Sequence, residues 1–540
     1  MKFISLIRSL NLGPARHARA GYQSSRKSPR FLPRLEVLED RTVPSTLTVL
    51  NDLDSGAGSL RYAIGHSRDG DTIVFNPDLA GQTITLTSGS LDIKRSLDIE
   101  GPGAGLLAIS GNDSSRVFDI GAGLTVTVAG LTITHARGPG TGNGGGAIVN
   151  VGSTLTIAHA VFSANEASHK GGAIGNVNAG TLTVIDTTFT GNRAVETNGD
   201  DALGGAILNN YGSTATVIGS TFTGNRAVGG DGGVLQQNQS LAGQGIGGGI
   251  ANANGSVLTV VNSTFTGNQA VGGSGGSGGR GATVYFFGNG AGGGIDNSND
   301  STLVVSGCSF ASNRAAGGSR ITRGAGGQGY IGGGVGGGLR NGGYATVTNS
   351  TFDHNEALGG SGNTGGEGVQ ELGLAIGGGI ANIRAFGSPG QLNASNLMLT
   401  DNRAVGGDGN TGGALVGAGI GGGLANFRGG STATLSDSTF ADNQAVGGTG
   451  AVGGNGGDGL GGGLFNDAAA TVTLRGTTVT GNAATGGLAG VGGSAGLGVG
   501  GGVYFAAGGI ACLDLFTVAN IFGNTASTGN NDVFGVYTIC

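Results

Sequence analysis

Along most of this chain, apolar residues fall in short alternating runs bounded by glycine and asparagine, and the runs recur. One unit reads Gly171-Gly172-Ala173-Ile174, then Thr181-Leu182-Thr183-Val184, then Phe189-Thr190-Gly191-Asn192. Alternation with period two predicts half-buried strands, not helices. The unit occurs ten times, closing at Asn165, Asn192, Asn225, Asn268, Asn313, Asn355, Asn402, Asn443, Asn482 and Asn524. The closes are 27 to 47 residues apart, which is a solenoid period. From glycine step to close the length is nearly constant, whereas the stretch after the close runs from 5 residues to 23. Length variation is thereby confined to one corner of each coil.

The prediction is an all-β, right-handed parallel β-helix of the pectin-lyase-like type, with about twelve coils and three short strands per coil. Ile174, Leu182, Val184 and Phe189 point inward. Where Leu399, Val479 or Ile521 replaces the Phe, the position stays apolar, so it demands core volume and not aromatic chemistry. Parallel strands stack at about 4.8 Å, so a dozen coils make a rod on the order of 60 Å long. The right-handed sense follows from the handedness of strand, crossover and parallel strand.

Asparagine recurs at two turn positions. One is the close. The other, two residues after the glycine-step aliphatic, holds Asn150, Asn176, Asn209, Asn252, Asn297, Asn341, Asn382, Asn426 and Asn466. Stacked side-chain amides hydrogen-bond from coil to coil, so both columns are expected to form ladders.

Three segments differ in character. Residues 1–45 form a basic leader, with nine Lys or Arg against three acids up to residue 42, and read as a disordered targeting segment. Residues 46–80 form a cap region, in which Ser59 is a good helix N-cap and Leu60, Ala63 and Ile64 share one helical face. Residues 81–540 form the β-helix, its first coils irregular and its glycine-rich loops leaving by one corner.

Composition narrows the function. There are 123 Gly but only 8 Pro, which excludes collagen, and the charged fraction is 11%. Net charge is −6, so the body beyond the leader carries about −12. No basic patch interleaved with aromatics occurs there, so nucleic acid is not expected as a partner. No apolar run is long enough for a membrane-spanning helix. Three cysteines, Cys308, Cys512 and Cys540, are too few for a disulfide framework, and Cys308 and Cys512 read as small strand fillers.

The glycine step and the Phe-x-x-Asn close together resemble the repeat of chlamydial polymorphic outer-membrane proteins over residues 144–526. That resemblance implies a β-helix displayed at the cell surface, with adhesion as its role; the membrane barrel that ends those proteins has no counterpart in this sequence. Residues 45–76 are similar to the CSLREA-type segment that precedes bacterial β-helices, without its leading Cys. Residues 31–45 resemble an N-terminal signature of exported planctomycete proteins. The glycine loops resemble mycobacterial glycine tracts, with no matching helical domain before them.

Parallel β-helices also host lyases and hydrolases of acidic glycans, which need carboxylates and cations converging on one face. Beyond residue 42 the only lysines are Lys94 and Lys170, and neither shares a repeat position with acids. Before the closing Asn, the residues His354, Asp401 and Asp442 fall on successive coils, close enough to share a cation or a proton, but the column is otherwise mostly Gly and reads as a turn. Asp296 and Arg340 would form an exposed lateral ion pair worth a few tenths of a kcal/mol. Asp458 sits in the single match to the calcium-roll nonapeptide, so Ca²⁺ is the one cofactor to consider. Asp200-Asp201 and Asn531-Asp532 read as loop residues. No P-loop or HExxH motif occurs.

The expectation is an exported surface or extracellular structural or adhesive protein without catalytic activity, its partner a cell-surface glycan or protein. The alternative is a lyase or hydrolase acting on an acidic glycan.

Overall fold

The computed structural model describes residues 44–540 except 139–143, 236–240, 279–283, 323–327, 367 and 385–387. The leader, and most of the signature at residues 31–45, lie outside the described residues. The cap helix Leu60–His66 forms as its sequence predicts: the Ser59 side chain accepts from the Tyr62 backbone N–H, and Leu60, Ala63 and Ile64 are buried.

The fold is a right-handed parallel β-helix. The glycine-step strands, such as Ile174–Val177, stack into a thirteen-stranded parallel sheet, with Ile174 opposite Ile207 and Ile207 opposite Ile250. The next two strands, such as Thr181–Ile185 and Thr188–Thr190, belong to one large sheet. They bend at a residue of left-handed backbone, for example Asp186, Asn262 or Asp437. Ile174, Leu182, Val184 and Phe189 are fully buried, as are Leu399 and Val479. Phe189, Phe222, Phe265, Phe310 and Phe352 stack face to face at 4.6 to 4.8 Å between centroids.

Two features extend the three-strand expectation. The stretch after each close begins with a strand, such as Arg193–Val195, and these build an eleven-stranded sheet whose central Ala column (Ala194, Ala227, Ala270) is buried. The glycine loops also stack on one another. Segments including Leu241–Ala242, Val284–Phe287 and Val369–Leu372 form a five-stranded parallel sheet, with Phe287, Ile321, Ile331 and Leu372 packed beneath it. Gly360, Gly407, Gly448 and Gly487 each lie so close to the carbonyl of the preceding coil that a Cβ would collide with it. The loops form a second layer over the glycine-step sheet, so outward-facing residues of that sheet are buried.

Both amide ladders are continuous. In the closing column each Nδ2 donates to the Oδ1 of the next coil's asparagine, from Asn165 to Asn192 (2.9 Å) through Asn482 to Asn524 (2.9 Å). Its other proton goes to the carbonyl of the Phe on the preceding coil, as from Asn192 to Phe162 (2.9 Å). Asp532, a loop residue as read from sequence, also ends this ladder: its Oδ1 accepts from Asn524 Nδ2 at 2.9 Å. The second ladder runs from Asn150 to Asn466 with 2.7 to 2.8 Å steps.

Cys308 is a buried filler in a column of Ser and Thr. Cys512 is not a filler. It is disulfide-bonded to Cys540, 28 residues on, because the adjacent coils bring their Cα atoms to 5.8 Å.

Candidate functional site

The column before the close is a turn, as its composition indicates. Ala164, Ser312, His354, Asp401 and Asp442 all hold φ between 52° and 56°. His354 and Asp401 come together, joined by Asp353 and not by Asp442. Asp353 accepts from Thr400 Oγ1 at 2.6 Å and lies 2.9 Å from His354 Nδ1. The hydrogen bond to Asp353 raises the His354 pKa. Desolvation opposes the shift at Asp353, but the Thr400 and His354 hydrogen bonds lower its pKa. Asp458 accepts from the Leu497 backbone at 2.8 Å.

A larger polar constellation lies where the loops leave the first full repeats. A cleft of about 530 Å³ is lined by His169, Lys170, Asp200, Asp201, Tyr211, Asn254, Asn299 and Arg340, among others. These residues come from five successive coils, so the cleft follows the helix axis for roughly 20 Å. Its polar wall is a short third amide ladder, in which Asn254 Nδ2 donates to Asn210 Oδ1 (2.7 Å) and Asn299 Nδ2 to Asn254 Oδ1 (3.1 Å). The Asn299 Oδ1 is buried without a partner. Tyr211 stands 51% exposed beside the amides, held out by a left-handed backbone.

At the N-terminal end of the cleft the Lys170 strand residue pairs in parallel with Leu203, which brings the Lys170 charge toward Asp201. The Asp201 carboxylate accepts from Gln244 N at 2.8 Å, yet desolvation pushes its pKa up to about 6. Glu196 is buried; its Oε1 accepts from the Thr197 and Asn198 backbone at 2.8 and 2.9 Å, and its Oε2 lies against His169 Nδ1. Asp200-Asp201 lie outside the strands, as read from sequence, and together with Lys170 they line this end of the cleft. Repeat alignment did not show this, because all of these residues follow a close, where the stretch varies in length from coil to coil. The legible signal was local density: His169, Lys170, Glu196, Asp200 and Asp201 concentrate ionisable groups in a chain that is only 11% charged.

Asp296 and Arg340 do pair on adjacent coils, but they are 0% and 6% exposed, not at the surface. The loop layer covers them. Burial raises the Asp296 pKa against the pull of Arg340, and Ser298 Oγ donates to its second oxygen at 2.9 Å. Arg340 Nη2 is buried and has no hydrogen-bond partner among the described residues. A neighbouring cavity is filled by the chain itself, with Arg428 over the Tyr330 ring (4.1 Å) and paired with Glu371 (2.6 Å).

Among the described residues, no helix is long and apolar enough to cross a membrane. No protein-family model and no curated protein matches the chain. Similar solved structures include the pectate lyase Pel9A, at 14% identity and TM-score 0.30, covering 66% of this chain and 76% of that one. The catalytic unit of a thermostable GH87 α-1,3-glucanase from Streptomyces thermodiastaticus strain HF3-3 matches at 14% identity and TM-score 0.34, covering 79% and 67%. The periplasmic alginate epimerase AlgG matches at 8% identity and TM-score 0.31, covering 90% and 89%.

Proposed function

We propose that this protein is an exported β-helix that binds a glycan along the cleft from His169 to Arg340. One observation carries the reading: five coils present an exposed Tyr211, a row of side-chain amides and the carboxylates of Asp200 and Asp201 in a single axial groove. An aromatic face suits the C–H face of a sugar ring, and amides with carboxylates suit its hydroxyls. The lining sets Asp200 and Asp201 against Lys170 and Arg340, and this balance of charge favours a neutral glycan over the acidic one of the alternative sequence reading. Export is supported by the basic leader and by the Cys512–Cys540 bond, which belongs to oxidising compartments. The resemblance to surface-displayed repeats agrees with an adhesive role.

A second reading, hydrolytic, is favoured by Asp201, whose carboxyl at about 6 is a proton donor suited to near-neutral pH. One experiment addresses both readings. Immobilised neutral and acidic glycans are probed with the full chain and with Tyr211→Ala, and the supernatants are assayed for new reducing ends. Retention on neutral glycans that is lost in Tyr211→Ala, without new ends, supports binding; new ends lost in Asp201→Asn support hydrolysis. Failure to retain any glycan refutes the proposal.

A further inference from the structure

The His169–Glu196–Asp200 cluster at the N-terminal end of the cleft contains a buried carboxylate oxygen that its surroundings leave unsatisfied. Glu196 is 5% exposed, and two backbone N–H groups fix its Oε1, which determines where Oε2 points. Oε2 is buried, lies in ion-pair contact with His169 Nδ1, and accepts no hydrogen bond from the described residues. A buried, charged oxygen without a hydrogen bond is unfavourable unless a positive charge faces it, and a protonated His169 or a metal ion held jointly with a neutral His169 would supply one. One donor atom each from His169, Glu196 and Asp200 can lie within 4.8 Å of the others.

We infer that these three side chains bind one divalent first-row transition cation of the zinc class. An imidazole nitrogen with two carboxylate oxygens suits such an ion, whereas Ca²⁺ and Mg²⁺ favour all-oxygen sets. Three protein donors leave a coordination position free, as at open metal sites. Asp200 is exposed and His169 is partly so, which turns that position toward the cleft. The Asp353–His354–Asp401 group has the same residue types, but there both Asp353 oxygens are engaged, by Thr400 and His354, and all three side chains are accessible to water. It serves as the internal control.

The test uses the full chain without a polyhistidine tag, stripped with chelator and titrated with zinc by calorimetry, with bound metal counted by mass spectrometry. One equivalent per chain is expected. Affinity should fall by more than about 10-fold in each of Glu196→Gln, His169→Gln and Asp200→Asn, since even outer-sphere losses reach that size. His354→Gln should bind as wild type does. Asp200 is exposed, so its variant reports binding even if Glu196→Gln misfolds. Absence of saturable zinc binding by the wild-type chain, or binding that survives Asp200→Asn and His169→Gln, overturns the assignment and leaves an ordinary His–Glu ion pair. Displacement of zinc by equimolar Ca²⁺ overturns the choice of metal class. Glycan retention plays no part in the titration, so this inference and the glycan reading stand or fall separately.

Discussion

Replacing Asn268 by Ala tests what the closing ladder contributes. Its side chain makes four hydrogen bonds: Nδ2 to Phe222 O (3.0 Å) and to Asn313 Oδ1 (2.9 Å), and Oδ1 from Asn225 N (3.0 Å) and Asn225 Nδ2 (2.9 Å). Asn225, Asn268 and Asn313 are all fully buried, so no water replaces what is lost. At about 1 kcal/mol net per bond, and with the Asn225 N–H left buried and unpaired, the cost is about 4–6 kcal/mol. Asn349 supplies the contrast: its bond to Asn396 (2.8 Å) is exposed, and Asn349→Gly keeps the left-handed backbone, so its cost should stay within about 0.5 kcal/mol. A solenoid unfolds in parts, so native-state hydrogen exchange at the amides of residues 222–226 and 265–269 is the suitable assay, with circular dichroism for the global transition. A loss below about 1.5 kcal/mol, or unchanged protection at Asn225, would refute the claim that the stacked amides are a main source of coil-to-coil stability.

Gly407→Ala drives a Cβ into the Gly360 carbonyl and should destabilise the loop layer by about 1–3 kcal/mol, whereas a Cβ at Gly409 meets nothing and costs only its left-handed φ, about 1 kcal/mol; differential protease cleavage of the loops reads the gap. Arg340→Met leaves Asp296 buried without its cation and should cost about 3–5 kcal/mol, most of which returns in Asp296→Ala/Arg340→Met; equal melting of single and double variants would contradict this. Asp201 has a folded-state pKa raised from 3.8 to about 6, so between those values the folded state holds the extra proton and stability falls as pH rises. The full shift equals roughly 3 kcal/mol, discounted to about 1–2 kcal/mol because the cleft is open to solvent, and Asp201→Asn should flatten the pH 4–6 slope of the melting temperature.

The coil path was legible because the spacing from glycine step to close hardly varies, so Ile174, Leu182 and Phe189 could be aligned with their counterparts and assigned to the interior. The asparagine ladders were legible for the same reason. The strand after the close was not: in Arg193-Ala194-Val195 the single inward residue is Ala, too weak a pattern to stand out from the loop that follows. The burial of Asp296 and Arg340 was missed because alternation assigns them outward, and outward means solvent only when no second layer covers the sheet. Glycine hid that layer, since its packing depends on the absence of side chains. The cleft cluster was missed because His169, Glu196 and Asp201 all lie in the stretch of variable length after a close and meet only when coils of unequal length stack.

The closing ladder also has a direction. Every amide-to-amide bond in it runs toward the C-terminal coils, and the series ends on Asp532, a carboxylate that accepts from Asn524. A further asparagine stacked beyond this point would find an acceptor-only group that cannot pass the chain of donors onward. At the opposite end of the second ladder, Asn150 Oδ1 has no donor, because the strand before it carries Ile120 at the matching position. Parallel stacks of this length are ready templates for filament growth. Ending one ladder in an acceptor-only carboxylate leaves mismatched hydrogen bonding for an asparagine stacked past Asp532, which disfavours extension of that ladder.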